Sequence, residues 1–170
     1  MNGTAKRRFR ASDPAHIKLI VFAIILVALS CNRDLRTDSD ISTQDKKFIR
    51  ELGILDPGEN IILFDSQGGG LDELMTSGNF FTNKRIASYW IDNQDTTKTS
   101  INSAFFTDIV TMRRFPMYRS LTCASYVEVS RRDGTKFNVY VDADSMQVIN
   151  FFDRAFQAWN AKKNIGNDSK

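Results

Sequence analysis

The chain has 170 residues, a net charge of +3, one histidine and two cysteines. Residues 1–30 hold Lys6, Arg7, Arg8, Arg10 and Lys18 against Asp13, a charge of +4, which leaves about −1 for the remainder and no electrostatic basis for a nucleic-acid partner. The single histidine, His16, lies in that basic segment. Residues 31–170 therefore cannot form a Ser-His-Asp or Cys-His pair, nor a histidine-bearing zinc site.

In chain order, the basic segment is followed by an uncharged run from Leu19 to Asn32, apolar or small from Ile20 to Cys31. A helical span takes roughly 20 apolar residues. This run is shorter and has the proportions of a signal-peptide h-region, about 7–15 residues behind a positive n-region. An uncleaved anchor or a buried helix would account for the hydrophobicity but not for a cysteine at its end. Val27-Ala28-Leu29-Ser30-Cys31 resembles the lipobox of bacterial lipoproteins. That resemblance implies removal of residues 1–30, acylation of Cys31 with diacylglycerol and palmitate-type chains, and a domain held outside the cytoplasm. Asn32 is not the Asp that retains lipoproteins in the inner membrane of enteric bacteria, so the outer membrane is favoured. Residues 31–41 are polar, without periodicity, and are expected to be a lipid-anchored tether. Cys123, within LTCASYVEV, would be the remaining thiol, read as buried and inert.

Residues 42–53 read as a short amphipathic helix. Ser42 with Asp45 makes a capping pair, Phe48, Ile49 and Leu52 form a stripe, and Gly53 ends it. Asp56-Pro57-Gly58-Glu59 is a turn. Strands are expected over Asn60–Phe64, Asn79–Thr82, Arg85–Ile91, Thr97–Asn102 (weak), Phe105–Met112, Thr122–Ser130 and Thr135–Val141. The last two are joined by the Asp133-Gly134 hairpin. SQGGGLDELMTSG reads as a glycine-rich linker docked by Leu71, Leu74 and Met75. An amphipathic helix capped by Asp144 closes the chain, with Ser145, Ile149, Phe152, Phe156 and Trp159 as its ridge, widened by Val148, Phe151 and Ala155. Residues 162–170 are expected to be a flexible tail.

Seven antiparallel strands closed by one helix, mainly β, is the plan of a pleckstrin-homology barrel or sandwich. The segments LDPGENIILF, GNFFTNKRIASYW and DGTKFNVYVD resemble bacterial pleckstrin-homology-like domains over residues 54–161. The residues carrying the likeness are Glu59, Gly78, Asn79, Phe80, Phe81, Thr82, Asn83, Lys84, Arg85 and Tyr89, which act as a structural signature rather than an active site. The fold hosts many binding roles, so it implies a scaffold and little more. Classical members bind phosphoinositides through Lys and Arg in the first inter-strand loop. Here that loop has none and carries Asp72 and Glu73, so phosphoinositide binding is not expected.

Three functions remain open. The first is a non-catalytic, membrane-anchored interaction domain that binds an envelope protein or peptide. Its candidate surface is a strand edge or the basic-aromatic loop MRRFPMYR, with Arg113, Arg114, Phe115, Tyr118 and Arg119. The second is a structural or assembly accessory of the envelope. The third is a small hydrolase using Asp72 with Glu73 or Asp92 with Asp95 as acid and base. The sequence holds no P-loop, and Gly68-Gly69-Gly70 lacks the GxGxxG spacing, so no cofactor or metal is expected.

Overall fold

A computed structural model of the chain describes residues 35–66, 73–117 and 124–167. Cys31, Asp72, Tyr118, Arg119 and Cys123 lie outside the described residues, as do the expected signal segment and the glycine triplet.

Helix α1 spans Thr43–Glu51 and starts as the Ser42–Asp45 pair requires: Ser42 Oγ accepts from the Asp45 N–H at 3.1 Å. Gly53, at φ +75°, ends it in the left-handed region that glycine enters without Cβ strain. The strands are β1 (Ile61–Asp65), β2 (Ser77–Thr82), β3 (Arg85–Trp90), β4 (Ser100–Phe105), β5 (Ile109–Phe115), β6 (Ser125–Arg131) and β7 (Lys136–Val141). One turn of helix, α2 (Glu73–Thr76), precedes β2, and α3 (Ser145–Asn167) closes the chain. All pairings are antiparallel between sequence neighbours, giving a four-stranded meander β1-β2-β3-β4 and a three-stranded meander β5-β6-β7. The fold is mainly β, as expected from the alternation, with the four-plus-three division and terminal helix of the pleckstrin-homology plan.

Two hydrophobic clusters flank the first sheet. Leu63, Phe81, Ile86 and Ala104 face the second sheet and α3, packing with Val127, Val129, Val139 and Phe151. Phe64, Phe80, Ala87 and Tyr89 face the other way, where Ile49 of α1 and the following Ile54 and Leu55 cover them. Every residue of β2 is buried as a result, which is why NFFT shows no polar-apolar alternation.

Five expectations need correction. The tether does not extend to residue 41. Arg36 exchanges backbone hydrogen bonds with Phe64 at 2.9 and 2.8 Å, and Ile41 is buried in the cluster under α1. The edge of β1 has unpaired backbone groups, and this segment satisfies them. The weak strand at Thr97 starts later, at Ser100, because Asp95 accepts from Thr97 N–H and winds Thr96–Lys98 into a 3-10 turn. A second 3-10 turn, Phe106–Asp108, moves the start of β5 to Ile109 and its end to Phe115, since buried Phe106 turns the chain between the sheets. The buried stripe of α3 is Val148, Phe151, Phe152, Ala155 and Trp159, while Ile149 of the expected ridge is exposed. Asp144 caps α3 as expected, accepting from Met146 and Gln147 N–H groups. The helix continues to Asn167, past Lys162 where the tail was expected, and Lys163 lies 5.1 Å over the Trp159 ring one turn away.

Candidate functional site

The motif residues assemble one buried network. Thr82 Oγ1 accepts from the Lys84 and Arg85 N–H groups at 2.9 and 3.0 Å, closing the two-residue turn between β2 and β3. That turn delivers Arg85 into the interior, where Glu59 Oε1 accepts from its Nε at 3.1 Å and its Nη2 at 2.9 Å. Asp56 is a second partner of Nη2, and the guanidinium stacks 4.1 Å over Phe105. Both members of the Glu59–Arg85 pair are buried, so each compensates the other's charge. Gly78 sits where a Cβ would lie 2.5 Å from Phe64 Cζ and Tyr89 Cε1. Tyr89 donates its hydroxyl to Leu74 O, and burial pushes its ionisation far above the usual phenol range. Glu59 and Arg85 are buried at the centre of this network, with Asp56 and Phe105 at its exposed rim. The network locks the hairpin and the turn before β1 together.

The acidic candidates resolve the same way where they are described. Asp92 Oδ1 accepts from the Gln94 and Asp95 N–H groups, both at 2.9 Å, and Asp95 caps the 3-10 turn. Hydrogen bonds from Thr97 hold the Asp95 carboxyl below its usual range. These are turn caps committed to the backbone.

The first part of the basic-aromatic segment is strand rather than loop. Arg113, Arg114 and Phe115 belong to β5, paired with Glu128, Val127 and Tyr126 of β6. Alternation sends the two arginines to opposite faces. Arg114 lies toward α3, bonded to Asp153 Oδ1 at 2.7 Å and 4.3 Å over the Phe156 ring, so it fastens the helix. Arg113 lies on the outer face, 5.3 Å over Phe115. There Phe115 stacks on Tyr126 of β6 with centroids 4.7 Å apart, and Tyr126 meets Tyr140 of β7 at 5.6 Å. An aromatic ladder thus crosses all three strands of the second sheet on the side that no described element covers.

The sheets part at the β7 edge. Facing sheet two, the first sheet turns from apolar (Phe81, Ile86, Ala104) to polar one pleat further along, where Asn79, Ser88 and Asn102 are cross-strand neighbours. A cleft of about 410 Å³ lies there, bounded by those three residues, Trp90, Asn138 and Tyr140. Asn79 Oδ1 accepts the Tyr140 N–H at 3.0 Å and Asp65 Oδ2 the Asp142 N–H at 2.8 Å, so side chains of sheet one cap the edge of β7. Sequence reading missed Tyr126, Tyr140, Trp90, Asn102 and Asn138. The visible signal was polar residues at inward positions of β2, β3 and β4, where a closed core would place apolar ones.

Compared with known proteins, the chain matches no family model and no curated protein. It is similar to the crystal structure of a DUF1696 family protein with a pleckstrin-homology domain from Shewanella loihica PV-4. The two are 14% identical, with 69% of this chain and 97% of that chain covered and a TM-score of 0.41.

Proposed function

We propose that this chain is a non-catalytic lipoprotein whose pleckstrin-homology-like domain binds a protein partner at the cell envelope, with acylated Cys31 as its anchor. The lipobox-like run ending at Cys31 supports the anchor. The outer membrane is the favoured site, on Asn32. The observation that carries the interaction reading is the Phe115–Tyr126–Tyr140 ladder with Arg113 beside it. Aromatic and arginine side chains are the residue types that dominate binding energy at protein interfaces. This ladder is left on the one sheet face that no element of the described fold covers. Arg114 lies on the other face of β5, bonded to Asp153 of α3, and is no part of the ladder.

The test has two arms. Metabolic labelling with a fatty acid should mark the wild type and not Cys31→Ser; label persisting on that variant overturns the anchor. Crosslinked partners recovered from envelope extracts should be lost with Arg113→Ser plus Tyr126→Ser and retained with Lys47→Ser on α1. Loss with both variants, or with neither, overturns the interaction face. A phosphoinositide reading finds no support, since the described part of the first inter-strand segment is α2, Glu73–Thr76, without a basic residue. Sedimentation of the unacylated domain with anionic vesicles at physiological salt is expected to show no binding.

A further inference from the structure

We propose that the cleft between the inner face of the first sheet and the edge of β7 binds a short, neutral saccharide. The cleft shares Tyr140 with the protein-binding ladder, but the inference rests on its carboxamides and Trp90. It starts from hydrogen-bond capacity. Asn79 is 2% exposed, and its Oδ1 is occupied by the Tyr140 N–H, which turns Nδ2 toward the cleft as a fixed donor. Asn102 Nδ2 bonds Ser100 Oγ at 2.8 Å and Asn138 Nδ2 bonds the Tyr140 hydroxyl at 3.1 Å, which turns both carbonyl oxygens into fixed acceptors. Three carboxamides thus present one oriented donor and two oriented acceptors around a single space, with Ser88 between them. Oriented donors and acceptors at close spacing suit vicinal hydroxyl groups, each of which both donates and accepts.

Trp90 supplies the second half of the recognition. It is 49% exposed at the end of β3, against 9% for Trp159. An indole face left in solvent beside a polar cleft offers a platform for the axial C–H face of a pyranose with equatorial hydroxyls. The lining is otherwise neutral: it contains no carboxylate, and its one cation, Lys136, lies 3.5 Å from Glu128. A charged ligand would find no counter-charge of its own. An extended peptide is disfavoured by the edge itself. The N–H groups of Tyr140 and Asp142 are already capped, so an added strand could not continue past Asn138. A ligand that is compact, polar and uncharged matches a space of about 410 Å³.

The test uses the full chain in a zwitterionic detergent that carries no sugar headgroup. Cellobiose and chitobiose are titrated with two readouts, the Trp90 emission and the side-chain amide NMR signals of Asn79, Asn102 and Asn138. At least one disaccharide should shift the emission to the blue and move those amide signals together. Trp90→Ala and Asn138→Ala, both at accessible positions, should each weaken the response about tenfold, the factor of one contact worth roughly 1.4 kcal/mol. Three results overturn the proposal: neither disaccharide moves the signals, both substitutions leave the affinity unchanged, or tri-alanine moves the same signals more strongly than the sugars.

Discussion

The two sheets of this domain are treated differently by the chain around them. The first carries a hydrophobic cluster on each face, against the second sheet and α3 on one side and against α1 with Ile54 and Leu55 on the other. Among the described residues the second is covered on its inner face alone, and its outer face carries aromatic residues in a row. Both sheets are antiparallel meanders of similar strand length, so the difference lies in side chains and coverings rather than in backbone. A sheet with a cluster on each face spends its side chains on stability, whereas an open aromatic face contributes little to folding and is free for a partner.

Substitutions in the first sheet should therefore cost the most stability. Phe80→Ala removes a fully buried ring that stacks on Phe64, and should lower unfolding free energy by about 3–5 kcal/mol in urea titrations. Arg85→Met should cost a similar 3–5 kcal/mol, because Glu59 would be left as an uncompensated buried charge. The double variant Arg85→Met with Glu59→Leu should recover part of that loss. Failure of the second change to recover anything would mean that Arg85 acts through Phe105 rather than through Glu59. Gly78→Ala drives a methyl into Phe64 and Tyr89 and should cost roughly 1–3 kcal/mol.

A smaller effect belongs to the segment that docks on the first sheet from outside. Asp38 bonds Lys46 Nζ at 2.6 Å, and this holds its carboxyl below the ordinary range. A carboxylate with a depressed folded-state value stabilises the fold above its unfolded value, about 3.9, and loses that contribution as pH falls through the folded value. Asp38→Asn should thus cost up to about 1 kcal/mol at neutral pH, since the pair is partly solvated, and nothing at the acid end of the profile. At the opposite pole, Tyr126→Ser on the open sheet should change stability by about 0.5 kcal/mol. A loss comparable to that of Phe80→Ala would show the ladder to be structural and would erase the contrast between the sheets.

Most of the fold was legible because each element carries a local cause. Ser42 and Asp144 cap their helices, Gly58 and Gly134 turn the chain at positive φ, and alternation marks β6 and β7. The Thr82–Arg85 signature was legible as a motif, but the Glu59–Arg85 pairing spans 26 residues and has no local trace. Two of the misread places share one origin, in that the deciding contact is remote. Leu35–Ile41 looks like a tether until β1 offers its open edge, and Arg113–Phe115 looks like a loop until β6 pairs with it. The stripe of α3 was displaced because its helical period alone does not say which flank of a broad apolar face meets the sheets. The site was least legible, since the ladder takes one residue from each of three strands and the cleft takes residues from four.

The open face of the second sheet can be probed where the protein works. A photo-crosslinking phenylalanine analogue placed at Tyr126, and separately at Lys47 on helix α1, compares the two regions in intact cells. The account predicts a discrete protein adduct from position 126 that disappears when Arg113→Ser is added, and none from position 47. Absence of a protein adduct at position 126, or one of equal yield at position 47, would contradict it.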